Sequence, residues 1–396
     1  MLETLIEKLI EKYLDPCLKW FFSLHKAFRG LLLALITLAL LNFYFPGQFY
    51  KYKSLISHIN SSVLFDESKL ILSTDQGKNV SGVLSSLDYG LTVDLETLKK
   101  DGEQPWGLAQ AILALTDVNS PNSNDVELQL RKVKAIDCSC WKEWINQREH
   151  TFPKHIPASA WAILALAYNQ VRPHRSEVDF ILKTQNISAG GGWWPVFPSN
   201  NNEFASTFAT AWSIIALNKL IGDNLLDKDQ EDKAVSALKS GQSWLISNRE
   251  HEKGRWFDYP SSKSGQISLS LSGLAIYSLH QSAKLVNLDV INLDKEWVAN
   301  LPENIPNAGS CEIPYIWVKG FDGLNQDTFC QLTVPWLIIG TAAIYENVTP
   351  LEKLTINSWV DRVILESKIT FSDNIAEHWK RAEIIIALRA LLGTFI

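Results

Sequence analysis

The chain has 396 residues, 46% hydrophobic and 20% charged, with a formal net charge of -6. That is a globular composition, with enough length for one large domain or two ordinary ones and a sizeable core. The mildly acidic balance argues against a nucleic-acid partner, which would need a basic stripe or patch. Fifteen tryptophans stand beside a single methionine, and each large ring needs packing and a partner for its N–H.

In "MLETLIEKLIEKYL", Leu2, Leu5, Ile6, Leu9, Ile10 and Tyr13 fall at helical spacing with Glu and Lys opposite, which predicts an amphipathic helix within residues 1–26. The uncharged run Leu31–Phe45 follows. At 15 residues it is shorter than the ~20 of a spanning helix, but Ala27–Gly30 and the aromatic end extend it, with Arg29 snorkelling to an interface. Phe43, Tyr44, Phe45, Phe49, Tyr50 and Tyr52 form a candidate interfacial belt. Residues 27–50 are therefore expected to be a transmembrane or membrane-anchor helix, with a buried core helix as the alternative and the side of the membrane open. A cleaved signal peptide fits poorly, since the segment before the run is too long and no small-x-small site follows. Residues 51–100 are expected to be a helical linker that supplies a first outer helix.

From about residue 100 one phrase recurs, a Gly/Pro/aromatic loop followed by a helix of small and aliphatic residues. Copies start at Gly102 ("GEQPWGLAQAILAL"), Lys154 ("KHIPASAWAILALAYN"), Phe204 ("FASTFATAWSIIALNKL"), Ser264, Asn325 and Asn374. A fixed period of this kind marks repeat architecture. Between the copies lie charged amphipathic helices such as "RSEVDFILKTQ" and "KAVSALKSGQSWLISNRE". Helices apolar on every face belong inside and one-sided helices outside. The expected fold is thus all-α, an (α/α)6 toroid over residues 101–396 with an N-terminal hydrophobic anchor.

In "FILKTQNISAGGGWWPVFP" an outer helix is expected to end at Gln185. The glycines then make a C-cap and tight turn, and Trp193 and Trp194 pack at the hand-over to the next inner helix. "WLISNREHEKGRWFDYP" repeats the device with Gly254 and Trp256. This resembles the QW repeat of triterpene cyclases such as squalene–hopene cyclase, and the related repeat of protein prenyltransferase β subunits. The resemblance implies a central cavity lined by Trp106, Trp161, Phe208, Trp212, Trp256, Tyr259, Trp317 and Phe329, whose ring faces could stabilise a cation; plain core filling is the alternative.

The cyclases carry their acid in a D-x-D-D-T-A motif. Here the matching place reads "GLNQDTFCQLT": Asp327 and Thr328 remain, Gln326 replaces the preceding Asp, and Leu324 stands where the first Asp belongs. Asp327 is the implied catalytic acid, or an ordinary helix N-cap. The prenyltransferase resemblance suggests Asp327, Cys330 and His378 as zinc ligands, although their spacing departs from that family's. Cys138 and Cys140 lack the second half of a structural zinc site, so no metal or other cofactor is expected there.

Three functions follow. The first is a degenerate toroid at the membrane that binds an isoprenoid-like lipid or a partner protein. The second is an active isoprenoid cyclase or transferase using Asp327. The third is a carbohydrate-active toroid, for which Glu203, Asp258, Asp327 and Glu377 stand before or at inner helices and could supply two separated carboxylates.

Overall fold

Two kinds of helix alternate along the chain, set apart by what their faces bury. The computed structural model describes residues 72, 74–101, 105–116, 123–135, 138–141, 154–198, 205–250, 254–257, 268–286, 288–306, 311–312, 331–366 and 377–392. The apolar helices are α2 (Pro105–Leu115), α4 (Ile156–Tyr168), α6 (Thr207–Gly222), α8 (Leu269–Val286), α10 (Thr333–Ile344) and α12 (His378–Leu391). Every residue of α2 is buried, and each buried Leu or Ile contributes about 1.5–3 kcal/mol. The amphipathic set is α1 (Thr74–Asp101), α3 (Ser123–Lys132), α5 (Arg175–Lys183), α7 (Lys228–Ser247), α9 (Ile291–Ala299) and α11 (Pro350–Glu366).

α2 packs on α4, α4 on α6, α6 on α8, α8 on α10, α10 on α12, and α12 returns to α2. The six apolar helices thereby close a ring, and the amphipathic helices lie against it. α1 touches α2 and α12, α3 touches α2 and α4, α5 touches α4, α7 touches α6 and α8, and α9 and α11 touch α10. This is the double ring expected for an (α/α)6 toroid. The first outer helix, α1, runs from Thr74 to Asp101. The helix expected within residues 1–26 and the anchor expected over 27–50 lie outside the described residues.

The tryptophans that precede α4, α6 and α8 share one construction. Trp141, Trp194 and Trp256 are fully buried. Their indole N–H groups donate to Leu130, Ile181 and Leu245 carbonyls of the region around the preceding outer helix, at 2.9, 2.7 and 2.7 Å. Their backbone N–H groups donate to Ser159 Oγ, Thr210 Oγ1 and Ser272 Oγ in the following inner helix, at 3.0, 3.0 and 3.1 Å. Their carbonyls accept from the N–H of His155, Ser206 and Ser268, residues whose side chains in turn accept from Ala158, Ala209 and Leu271 N–H and cap the inner helices. Each tryptophan therefore staples an outer helix end to an inner helix start and leaves none of its hydrogen-bonding groups stranded.

The glycine run builds more than the expected cap and turn. Asn186–Ser188 (β1) and Gly191–Trp193 (β2) pair antiparallel, Ile187 opposite Gly192. Gly191 has φ +125°, and a Cβ there would stand 2.4 Å from the Ser240 carbonyl oxygen of α7, so both backbone conformation and close approach demand glycine. Gln185 follows the end of α5, and its Nε2 donates to Ala237 O of α7 at 2.8 Å. A second ribbon joins Cys311–Glu312 (β3) to Gln331–Leu332 (β4), antiparallel.

The ring is sealed where its last helix meets its first. Arg389 of α12 is 2% exposed; its Nη2 lies 3.2 Å from Asp88 Oδ1 of α1, and its Nη1 donates to Ala114 O of α2. Burial raises the Asp88 carboxyl to about 6 although Arg389 pulls it down. Removing one partner of a buried pair costs roughly 3–5 kcal/mol, because the other charge is left without its counter-ion. Arg389→Met is therefore expected to lower urea stability by that amount at pH 8. Without Arg389 to pull it down, the Asp88 carboxyl stands higher still, so the loss should shrink as pH falls toward 6, and Asp88→Asn in the same chain should recover part of it.

Candidate functional site

Aromatic rings fill the axis of the inner ring. His378 opens α12 and lies 5.5 Å, centroid to centroid, from Trp106 of α2; Trp106 lies 6.1 Å from Trp161 of α4. Trp161 meets Trp212 of α6 edge-on at 5.2 Å and Phe208 at 6.0 Å, and Trp212 meets Trp336 of α10 edge-on at 5.4 Å. Five inner helices contribute to this column. The sixth, α8, supplies Gly273, whose missing side chain lets the α10 backbone come in close. A small void beside Tyr168, Trp212, Tyr277 and Trp336 has room for about one water. Tyr277 is buried there with its hydroxyl raised above the usual tyrosine range by burial.

Trp106, Trp161, Phe208 and Trp212 are thus brought together, as a packed column rather than the walls of an open cavity. Trp256 stands apart as a staple between α7 and α8, with its ring fully buried. Tyr259, Trp317, Phe329, Asp327 and Cys330 lie outside the described residues, as do Glu203 and Asp258. Glu377 stands at the N-cap position of α12, where its side chain makes no capping bond and pairs instead with Lys380 Nζ at 3.0 Å.

One acid escaped the sequence analysis. Glu383 lies in α12 with 1% of its surface exposed, and Oε2 accepts the Leu332 N–H at 3.0 Å. Burial pushes this carboxyl up to about 8, with the Leu332 N–H and the Trp336 indole offsetting part of the rise. At neutral pH it is a carboxylic acid rather than a carboxylate. Gln331, one residue before Leu332, is fully buried, and neither polar atom of its side-chain amide has a hydrogen-bond partner among the described residues. "KRAEIII" reads as a charged position on a surface helix; only the apolar residues on both sides, Ala382 and Ile384–Ile386, hint that this glutamate is enclosed.

His155 sits where α4 begins, its ring tilted against that of Phe197 with centroids 5.1 Å apart. Its imidazole is lowered to about 3 by burial, so it is neutral and caps α4 through Nδ1. His378 is likewise lowered, chiefly by burial. Its stacking on Trp106 and the placement of Asp327 and Cys330 outside the described residues leave the expected zinc set without geometry. Among the described residues no group of three or more His, Cys, Asp or Glu side chains could hold a metal ion. Cys138 and Cys140, weighed as metal ligands, are joined as a disulfide.

No family model matches the chain, and no curated protein matches it. Solved structures do. A family 76 α-mannanase from Bacteroides thetaiotaomicron aligns at 12% identity and TM-score 0.50, covering 74% of this chain and 86% of its own. An α-1,6-mannanase of the same family from Salegentibacter sp. aligns at 12% identity and TM-score 0.51, covering 79% and 98%. An inactive variant of that enzyme in complex with α-1,6-mannotetrose aligns at 13% identity and TM-score 0.51, covering 78% and 98%. The likeness is one of fold.

It overturns the resemblance to triterpene cyclases and prenyltransferase β subunits. The expected isoprenoid-type lipid or partner protein and the membrane location, which rested on that resemblance and on the anchor, are corrected with it. The physical reason is visible in the staples: a Gln–Gly–Trp phrase fastens outer to inner helices and reports packing, which a toroid of any chemistry needs. Among the described residues no helix is long and apolar enough to cross a membrane.

Proposed function

We propose that the chain is a carbohydrate-active (α/α)6 toroid that takes a glycan at the face where its inner helices begin, and that it hydrolyses a glycosidic bond there. The observation that carries this is the closed ring of six inner helices, an architecture shared in fold with α-mannanases, one of them holding α-1,6-mannotetrose. In such a ring the segments that lead into the inner helices gather at one face. Glu203, Asp258 and Asp327 fall in those segments of the chain, and Glu377 directly precedes α12.

Glycoside hydrolysis requires two carboxyl groups, one to protonate the leaving oxygen and one to activate water or attack the sugar. Four acids ahead of four inner helices supply more than that number. The half-buried Trp379, at the start of α12, has a ring face that suits the apolar face of a sugar ring. The packed axis favours a second reading, a toroid that binds a glycan across its mouth without cleaving it.

The test is incubation of the full-length protein with α-1,6-mannooligosaccharides and a panel of other glycans, followed by product analysis. Hydrolysis is expected, and Asn or Gln exchanges at two of Glu203, Asp258, Asp327 and Glu377 should each lower the rate at least ~100-fold with the fold intact. Binding without products would favour the second reading. Neither binding nor cleavage across the panel would overturn both.

A further inference from the structure

The first repeat holds its staple tryptophan differently from the other two. Ahead of Trp194 the backbone is fastened by the β1–β2 ribbon, and ahead of Trp256 by a bridge between Glu250 and Arg255. Ahead of Trp141 stands the Cys138–Cys140 disulfide, with Cα atoms 5.2 Å apart and one residue, Ser139, between them. Cys140 O accepts the Ala135 N–H at 3.2 Å. Cys140 is fully buried and Cys138 half-buried. The same backbone bond, from Glu250 N–H to Arg255 O, stands one residue ahead of Trp256, so here a covalent clasp is added to a pairing that elsewhere works alone.

A disulfide stabilises chiefly by closing a loop in the unfolded chain, and the effect grows with loop length. Closing a loop across a single residue lies at the weak end of that scale, so the bond adds little that a β-bridge would not. What it adds is chemistry, because a disulfide with one accessible sulfur can exchange with thiols, whereas a ribbon cannot.

We propose that Cys138–Cys140 is a thiol–disulfide exchange site for low-molecular-weight thiols, and that its redox state sets how firmly Trp141 joins α3 to α4. A thiolate attacks the sulfur of Cys138, the half-buried residue of the pair, and the S–S bond breaks. Cys140 leaves as a thiolate that takes a proton from water. A second thiolate attacks the external sulfur of the mixed disulfide and releases Cys138. The sum is two thiols consumed, one small-molecule disulfide formed and two electrons delivered to the protein pair; a small-molecule disulfide reverses it. Loosening of the clasp acts on Trp141, whose N–H bonds to Ser159 Oγ and whose carbonyl receives the His155 N–H, and so on the start of α4. This inference stands independently of the glycan reading.

The test uses the full-length protein equilibrated in glutathione buffers of stepped ratio, then alkylated with N-ethylmaleimide and mapped by peptide mass spectrometry. Cys138 and Cys140 are expected to gain label together, while the protein is still folded, at ratios within the millimolar glutathione range. The melting temperature of the reduced form should be lower by a few degrees. In Cys138→Ser/Cys140→Ser that redox-dependent shift should vanish. A pair that stays oxidised until the whole chain unfolds, or stays reduced throughout the series, would overturn the proposal. So would identical melting of both states, which the wild-type chain reports whether or not the double variant folds.

Discussion

Gly273→Ala is expected to be among the most damaging single-methyl substitutions in the protein. A Cβ at Gly273 would lie 2.2 Å from the Trp336 carbonyl oxygen and 2.6 Å from its carbon, and the facing Gly340 already brings α10 against the Gly273 backbone. No rotamer relieves a clash between a Cβ and a backbone carbonyl. α8 and α10 would have to part at the seam where Gly273 and Gly340 let their backbones meet. Overpacking of a tight core commonly costs 1–3 kcal/mol, and separating two helix backbones belongs at or beyond the upper end, so a loss of roughly 3 kcal/mol or more is expected. Urea unfolding of the variant measures it. Gly222→Ala supplies the control, since a Cβ there meets nothing within 4 Å.

The second large effect is in the pH dependence of stability. Glu383 is raised to about 8 and Asp88 to about 6, both chiefly by burial. In the unfolded chain these groups release their protons at ordinary carboxylate values near pH 4. Between those values and the raised ones the native state holds protons that the unfolded state has lost, so stability is complete at the acidic side and falls as pH rises. At about 1.4 kcal/mol per unit, Glu383 alone could remove about 5 kcal/mol by pH 9, as a ceiling. His155 works in the opposite sense. Its imidazole is lowered to about 3, so stability is lost as pH falls from 6.5 toward 3. Above about pH 4.5 the two raised carboxyls outweigh the one lowered imidazole, so these three groups together place maximum stability near pH 4, with a fall toward alkaline pH. Glu383→Gln, which keeps an acceptor for the Leu332 N–H without an ionisable proton, should flatten the alkaline limb between pH 6 and 9. A variant that still lost stability as steeply as the parent chain would show that Glu383 is not the group responsible.

The architecture was legible because it is periodic. Each of the six recurring phrases became an inner helix, the copy at Lys154 as α4 and that at Phe204 as α6, since helices apolar all round have only one place to go. The site was harder. Trp256 and Trp212 are both tryptophans near the start of an inner helix, but one staples α7 to α8 and the other stands on the axis. What separates them is a second spacing, a capping Ser twelve residues after the staple and a hydroxyl sixteen after it, shown by Trp194–Ser206–Thr210 and Trp256–Ser268–Ser272. Glu383 and Arg389 look like surface charges in a terminal helix because their burial is created by α1, α2 and β4, elements distant in the chain. The family resemblance misled for a related reason, since the motif that carried it performs packing and says nothing about the substrate.

The central claim is that the mouth of the inner ring receives a glycan. Calorimetric titration of the full-length protein with α-1,6-mannotetrose and a panel of other oligosaccharides tests it most directly. Saturable binding of at least one of them is expected, weakened at least tenfold when Trp379 is replaced by alanine in a chain that still folds. A folded protein that takes up none of the panel would contradict it.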